Sequence, residues 1–457
     1  MFSNLVNTFV NCFKIPELKS RILFTLLVLA ICRMIAWIPV PGLDAAGLQE
    51  FFANNRGAMD DSFLGMYSLF TGGALQKAAI GALGIMPYIT ATIIVQLLTA
   101  VVPSLSKLAR EEGGRSKLIQ YGRYLTVLLC LGHGTLMALG WEHPEQTFGY
   151  AGQLVFNPGW WYRIQTVLVL ATGTVLLMWL GEQITERGIG NGISLIITIG
   201  IVADLPNAVQ MLYFQYRPPD GSPAKFHAFH LIALLLLLAA VVACIVAVTQ
   251  AQRKIPVTYT QRTVGRKVYA GGTNYMPLRI NYAGVMPIIF AQAILMFPAT
   301  AFIKLGQLTD IKFFIELGRH LSAGAMMYYA VYSLMILFFS YFWVATQFNE
   351  LQISDDLKKH GGYIPGIRPG QATSDFLHRT MSRITFAGGV FLVLIAVVPM
   401  LLGDAFNVPR TVSRFFGGTS LLITVGVMLD TMRQMEAHLL MRHYDGFLKK
   451  GRIRGRF

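Results

Sequence analysis

Side chains able to do chemistry are sparse in this 457-residue chain, and where they gather they are basic. Residues 250–281 hold Arg253, Lys254, Arg262, Arg266, Lys267 and Arg279 without one Asp or Glu, among the turn formers Pro256, Gly265, Gly271 and Gly272. Clustered guanidinium and ammonium groups bind phosphates and carboxylates. Two readings fit: basic loops that fix membrane orientation and touch anionic lipid, or a docking surface for an acidic or RNA-bearing partner. Six cations are more than orientation requires, which is the argument for the second. Catalytic patterns are missing: there is no HExxH, no GxSxG, no nucleotide-binding GxxxxGKS/T and no pair of intramembrane carboxylates for a proton relay. Cys12, Cys32, Cys130 and Cys244 follow no metal-ligand spacing and read as small buried apolar side chains. The expectation is a protein that is not an enzyme, binds no metal or cofactor, and draws energy for any transport from a partner, an ion gradient or its substrate.

The elements that carry these residues are apolar. A bilayer core about 30 Å thick needs about 20 helical residues per crossing. Ten runs qualify: 22–40, 78–102, 122–140, 164–181, 189–212, 229–249, 282–302, 326–348, 384–402 and 416–435. Hydrophobic residues make up 54% of the chain and charged ones 13%, more apolar surface than a soluble domain hides. The fold class is therefore all-α and polytopic. Lys and Arg concentrate in alternate loops, and basic loops stay in the cytosol, so both termini are expected to be cytosolic. The net charge of +15 lies mostly in those membrane-proximal loops.

Five runs fit residues 1–216 and five fit 229–457, joined by a polar external stretch, 217–228, with Pro218 and Pro219. An odd number per half reverses the direction of entry, which is the arithmetic of an inverted repeat. One apolar piece, Ser62 to Gly73, is too short to span. It contains Phe63, Leu64, Met66, Tyr67, Leu69 and Phe70 and ends in Gly72 and Gly73. It is either an amphipathic helix on the outer surface or a re-entrant stopper in a vestibule. Arg33, about twelve residues into the first run, is a costly mid-span charge with no partner evident in the sequence.

Several uninterrupted strings carry a resemblance: ALGIMPYI at 82–89, MWLGEQITERGIGNGIS at 178–194, NYAGVMP at 281–287, PGIRPG at 365–370 and FGGTSLLI at 416–423. The chain resembles the bacterial SecY family, the main subunit of the protein-conducting channel, in order and over nearly its whole length. The resemblance implies ten transmembrane helices in two five-helix halves, a clamshell around a central hourglass pore. It places an apolar pore ring on Ile85, Ile89, Ile193, Ile197, Ile289 and Ile423. Ile85 with Ile89, and Ile193 with Ile197, are four residues apart and share a helical face. An apolar constriction stops ions because water leaves it and nothing replaces their hydration shell, whereas dispersive contact with a passing peptide is not sequence-specific. The 62–73 segment matches the family's plug, with Gly72 and Gly73 as a pliable joint.

The seam between the second and seventh runs matches the lateral gate, through which apolar segments partition into lipid. Thr90, Gln96, Asn281 and Gln292 either hydrogen-bond across that seam or bond back to their own helices. Pro87 and Pro287 are expected to kink the gate helices. Arg253, Lys254, Arg266, Lys267 and Arg368 lie on the two large cytosolic loops, 250–281 and 349–383. There the family contacts the ribosome or the motor ATPase SecA. The resemblance also implies SecE and SecG as small membrane partners, signal-bearing polypeptides as substrates, the bacterial inner membrane as location, and no nucleic acid beyond ribosomal RNA. The rival reading is a secondary transporter of a small solute, which would carry charged binding groups at mid-membrane.

Overall fold

The computed structural model describes residues 15–54, 67–68, 70–111, 113–145, 150, 152–217, 228–259, 262–264, 267–269, 272–322, 324–406, 408, 412–413, 415 and 418–450. The chain divides into two compact units. One comprises 1–211 and 427–457, the other 212–426.

The first unit opens with α1 (Pro16–Ile35) and the short α2 (Ala45–Asn54). Proline opens α1 where no amide is needed, Glu17 lies in its first turn and Arg33 in its last, each complementing the helix dipole. The helix ends sooner than the apolar run suggests, so Arg33 sits in its last turn. After a turn-rich stretch come α3 (Met86–Val101) and α4 (Pro103–Arg110), bent by 104° at Val102. The second run was expected to be helical from 78. Instead, residues 72–85 fold as successive turns that dock on the strand-like 38–40 segment through Val40 N to Ala78 O and Ile80 N to Ile38 O, both 2.8 Å.

Two long helices follow, α5 (Gly114–Glu142) and α6 (Trp160–Arg187). They are joined by a bidentate ion pair at each end: Arg123 to Glu182 at 2.8 and 3.0 Å, and Arg163 to Glu142 at 2.7 and 3.1 Å. Paired charges of this geometry are affordable in a membrane protein because each carboxylate satisfies a fork of two donors. Next come α7 (Gly192–Ala203) and α8 (Leu205–Tyr216).

In the second unit α9 (Ala228–Gln250) is strongly apolar and largely unburied by the rest of this chain. Strands β1 (Gln252–Tyr259), β2 (Arg262–Val264), β3 (Lys267–Tyr269) and β4 (Thr273–Arg279) follow directly. They lie in the basic stretch read from the sequence as a loop. Then come α10 (Met286–Thr309), α11 (Lys312–His320), α12 (Met326–Gln347), α13 (Glu350–Lys359), β5 (Gly362–Tyr363), α14 (Gln371–Ala405) and α15 (Thr419–Lys450). β1 is the centre of an antiparallel sheet ordered β4-β1-β5, so the two large loops share one sheet. Its inward side chains Ile255, Val257 and Leu278 join Val344, Phe348, Ile364 and Leu377 in a buried cluster.

Among the described residues six helical stretches are long and apolar enough to cross a bilayer, or seven if α3 and α4 are one broken span. Ten were expected. Of the remaining helices, α1 carries Glu17, Lys19, Arg21 and Arg33, and α15 turns polar in its second half.

Candidate functional site

In the first unit the plug candidates Ser62, Phe63, Leu64, Met66 and Leu69 lie outside the described residues. Tyr67 and Phe70 are buried, and the Tyr67 hydroxyl donates to Leu83 O at 2.9 Å. Gly72 and Gly73 have φ of +61° and +79°, and Gly73 N donates back to Ser68 O at 3.0 Å, closing a helical turn. The expected joint is thus two left-handed glycines ending a turn. Arg33 Nη1 donates to Gly72 O at 2.9 Å, which supplies the partner the sequence left blank. Arg33 also interacts electrostatically with Asp204, the C-cap of α7, which in turn attracts Lys77. The Lys77 ammonium sits 3.0 Å over the Trp37 ring.

Four ring candidates belong to this unit. Ile85 and Ile89 are 1% and 5% exposed, Ile197 is 2% exposed and Ile193 is half-buried. Ile85 is the N-cap of α3 and accepts from Ile89 N at 3.1 Å, so the four-residue spacing is realised. Ile85 lines a cavity of about 30 Å³ with Arg33, Phe70, Thr71, Ile196 and Gly200. That is room for a water or so. The joint is otherwise packed.

The turn that launches α7 is held by groups that sequence reasoning missed. Ile189 N donates to Thr25 Oγ1 (3.1 Å), Gly190 N to Gln434 Oε1 (2.9 Å) and Gly192 N to Thr185 Oγ1 (2.9 Å). Asn191 Oδ1 accepts from Ile193 N and Ser194 N. The side chains of α1, α6 and α15 thereby satisfy a run of amides that regular helix cannot. The helix bearing Ile193 and Ile197 starts from a fixed point. Of these residues only Asn191 carried a sequence signal, as an Asn before an apolar run.

In the second unit Ile289 is 1% exposed and Ile423 fully buried. Pro87 and Pro287 each occupy the first turn of their helix, α3 and α10, where a missing amide costs nothing. The expected kink is therefore not found at either. The interior prolines are Pro298 and Pro399. The two helix starts match: Gly84-Ile85-Met86-Pro87-Tyr88-Ile89 and Gly284-Val285-Met286-Pro287-Ile288-Ile289 agree at four of six positions. Their glycines have φ of +57° and +63°.

Of the gate candidates, Thr90 and Gln96 are half-buried on α3, and Gln292 is 3% exposed on α10. Asn281, 8% exposed, precedes α10 and is not on a helix. Gln96 Oε1, Asn281 Nδ2 and Gln292 Oε1 are buried without a hydrogen-bond partner.

On the loops, Arg253 and Lys254 are exposed at the start of β1, opposite Leu278 and Pro277. Arg266 lies outside the described residues, and Lys267 opens β3. Arg368 is exposed on a turn whose backbone is tied at three points: Ile367 N to Ile364 O (3.0 Å), Thr373 Oγ1 to Arg368 O (2.9 Å) and Ser354 Oγ to Gly370 O (2.6 Å). A hydrogen bond between His378 Nδ1 and Glu350 Oε1 at 2.8 Å bridges α14 and α13 nearby in sequence.

Comparison with solved structures defines the class. A structure of a protein-conducting channel aligns with TM-score 0.59 at 18% identity, covering 95% of this chain and 94% of that one. Sec61 in the canine ribosome-channel complex from the endoplasmic reticulum aligns at 0.56 and 18%, with the same coverage. The fold is the one these two structures share.

The SecY family model matches residues 79–432, and the protein translocase subunit SecY of Chlamydia trachomatis is 41% identical over 98% of this chain and 99% of its own length. The chain belongs to the SecY family.

Proposed function

We propose that this member of the SecY family forms the pore through which unfolded secretory polypeptides cross the bacterial inner membrane and from which apolar segments pass sideways into lipid. Ten spans in two five-helix halves, 1–216 and 229–457, form a clamshell hinged at 217–228, with both termini cytosolic. Ile85, Ile89, Ile193, Ile197, Ile289 and Ile423 form its waist, 62–73 its plug, and Thr90, Gln96, Asn281 and Gln292 its lateral gate. The matched glycine–methionine–proline starts of α3 and α10 support the two-fold relation between halves. SecE and SecG complete the complex. A ribosome or SecA, docked on Arg253, Lys254, Arg266, Lys267 and Arg368, supplies the drive.

One observation carries this reading: none of the six isoleucines is exposed, and five are at most 5% exposed. Side chains packed against lipid would be exposed on the isolated chain. A small-solute transporter would place charged groups at those positions, which favours the channel. A photo-crosslinker at Ile85 or Ile289, with a secretory chain stalled in transit, tests it. Adducts to the stalled chain are expected; adducts to lipid alone would return the transporter to favour.

A further inference from the structure

α9 and α14 present matching faces at one end of the second unit. On α9, Phe229, Ala233, Leu236, Leu237 and Ala240 recur at three- and four-residue spacing and share a stripe. On α14 and its cap, Pro399, Leu402, Gly403 and Phe406 do the same. Ala233, Ala240 and Gly403 are small, and the two stripes do not close on each other. They line a cavity of about 410 Å³, more than ten times the one beside Ile85. The described residues after α14 are pinned to α14 itself and leave the space open: Val408 N donates back to Gly403 O at 2.9 Å, Ser413 Oγ donates to Pro399 O at 3.2 Å, and a Cβ on Gly403 would strike that hydroxyl.

No carboxylate, ammonium or guanidinium lines the cavity. Its polar side chains are Ser413, whose hydroxyl is engaged, and His230, half-buried and edge-on to Phe229 in the first turn of α9. Water needs about two to four polar partners and does not find them there, while an empty apolar space of this size forfeits the dispersion contacts of its walls. Hydrocarbon is the filling that matches. Its length is set as well: from Phe229 to Ala240 α9 rises about 17 Å, roughly half of a bilayer core about 30 Å thick, which is the depth of one leaflet. A partner's membrane-spanning helix needs a groove about 10 Å wide along a whole crossing, whereas this recess ends midway along α9, which continues to Gln250.

We propose that the cavity between α9 and α14 seats one hydrocarbon tail of a membrane phospholipid, with the head group level with His230 and the first turn of α9. Phe229 and Phe406, 73% and 53% exposed, mark the opening, and their rings supply the apolar surface that closes over the tail. The site is independent of the pore reading. Only the choice of leaflet rests on it: with 217–228 external, the tail belongs to the outer leaflet.

The test reconstitutes the full complex in bilayers of phosphatidylethanolamine and phosphatidylglycerol that include a phosphatidylglycerol with a diazirine near the end of one tail, and locates the photoadducts by peptide mass spectrometry. Adducts are expected on the two stripes, well above those on Ile232 and Leu235, which are 56% and 51% exposed but do not line the cavity. Ala233→Trp fills the space and should cut the stripe adducts about tenfold, the weight of roughly two displaced methylenes. Leu235→Trp adds the same ring outside the cavity and should not. Ala240→Leu is the smaller filling for the case in which Ala233→Trp does not accumulate, and should cut the adducts in the same direction. Lipid retained by the complex after detergent extraction should have the mass of a phospholipid; a free fatty acid in its place would overturn the assignment to a membrane phospholipid. Adducts spread in proportion to exposure, or undiminished in Ala233→Trp and Ala240→Leu, would overturn the seat. So would a photo-crosslinker in place of Leu237 that captures a partner polypeptide and no lipid.

Discussion

Arg368 offers the sharpest test of the proposed docking face. Its side chain is exposed, so Arg368→Glu removes no packing, and the amount of protein in the membrane and its unfolding temperature should not move. The backbone beneath is different. Thr373 holds the Arg368 carbonyl, and Ser354, 2% exposed, holds the carbonyl of Gly370 at 2.6 Å. The guanidinium is therefore presented from a preorganised turn, and binding orders little beyond the side chain itself. Truncating one member of a desolvated, hydrogen-bonded charge pair at an interface costs about 2–5 kcal/mol, and reversal adds repulsion, so partner affinity should fall by about 30-fold or more. Ser354→Ala keeps the charge but frees the turn. It should cost about 1–3 kcal/mol of loop stability and weaken the partner only several-fold. The assay is SecA or ribosome binding to the complex in nanodiscs across a salt series, with export rate in parallel. Normal binding and export by Arg368→Glu would remove Arg368 from the docking face. An equal loss in both variants would show that loop order, not charge, is what the partner reads.

Two further expectations concern helix starts. Gln434→Leu orphans the amide of Gly190 and Thr25→Val that of Ile189, so each should lower stability by about 1–3 kcal/mol in thermal unfolding of the complex, without changing the ring itself. Pro287→Ala should change stability by less than about 1 kcal/mol and leave export intact, because the first turn of α10 needs no amide there; a severe export defect would mean that the gate does depend on this proline.

The apolar runs and their order are legible in the sequence because lipid imposes length and composition on every crossing. Where helices begin is less so. Apolar character continues from Ala78 into α3, yet Ala78 and Gly84 have positive φ and the chain turns until Ile85. Hydropathy cannot register a backbone reversal made of small apolar residues. The prolines misled for the same reason, since their effect depends on whether they fall in the first turn or the interior. The sheet was hidden because its two long strands each carry a proline, Pro256 and Pro277, and only Ile255, Val257 and Leu278 are turned inward. The family strings single out the isoleucines proposed for the ring, but nothing local marks Thr25, Thr185 or Gln434 as caps for a turn that is, for Gln434, 244 residues away. Arg33 looked unpartnered because its acceptor is a main-chain carbonyl 39 residues on, and carbonyls leave no trace in side-chain patterns.

The β1–β4 pair has a mechanical consequence. β1 continues α9 after a single residue, and β4 runs by way of Ile280 N to Ala251 O, at 2.9 Å, toward α10. Seven registered residue pairs lock the two strands together, and β5 adds the Arg368 turn to the same ladder. The strand pair is joined to α9 by one residue and to α10 by the turn at 280–285. On the proposed function, a partner docked on these strands would pull on α9 through a single intervening residue.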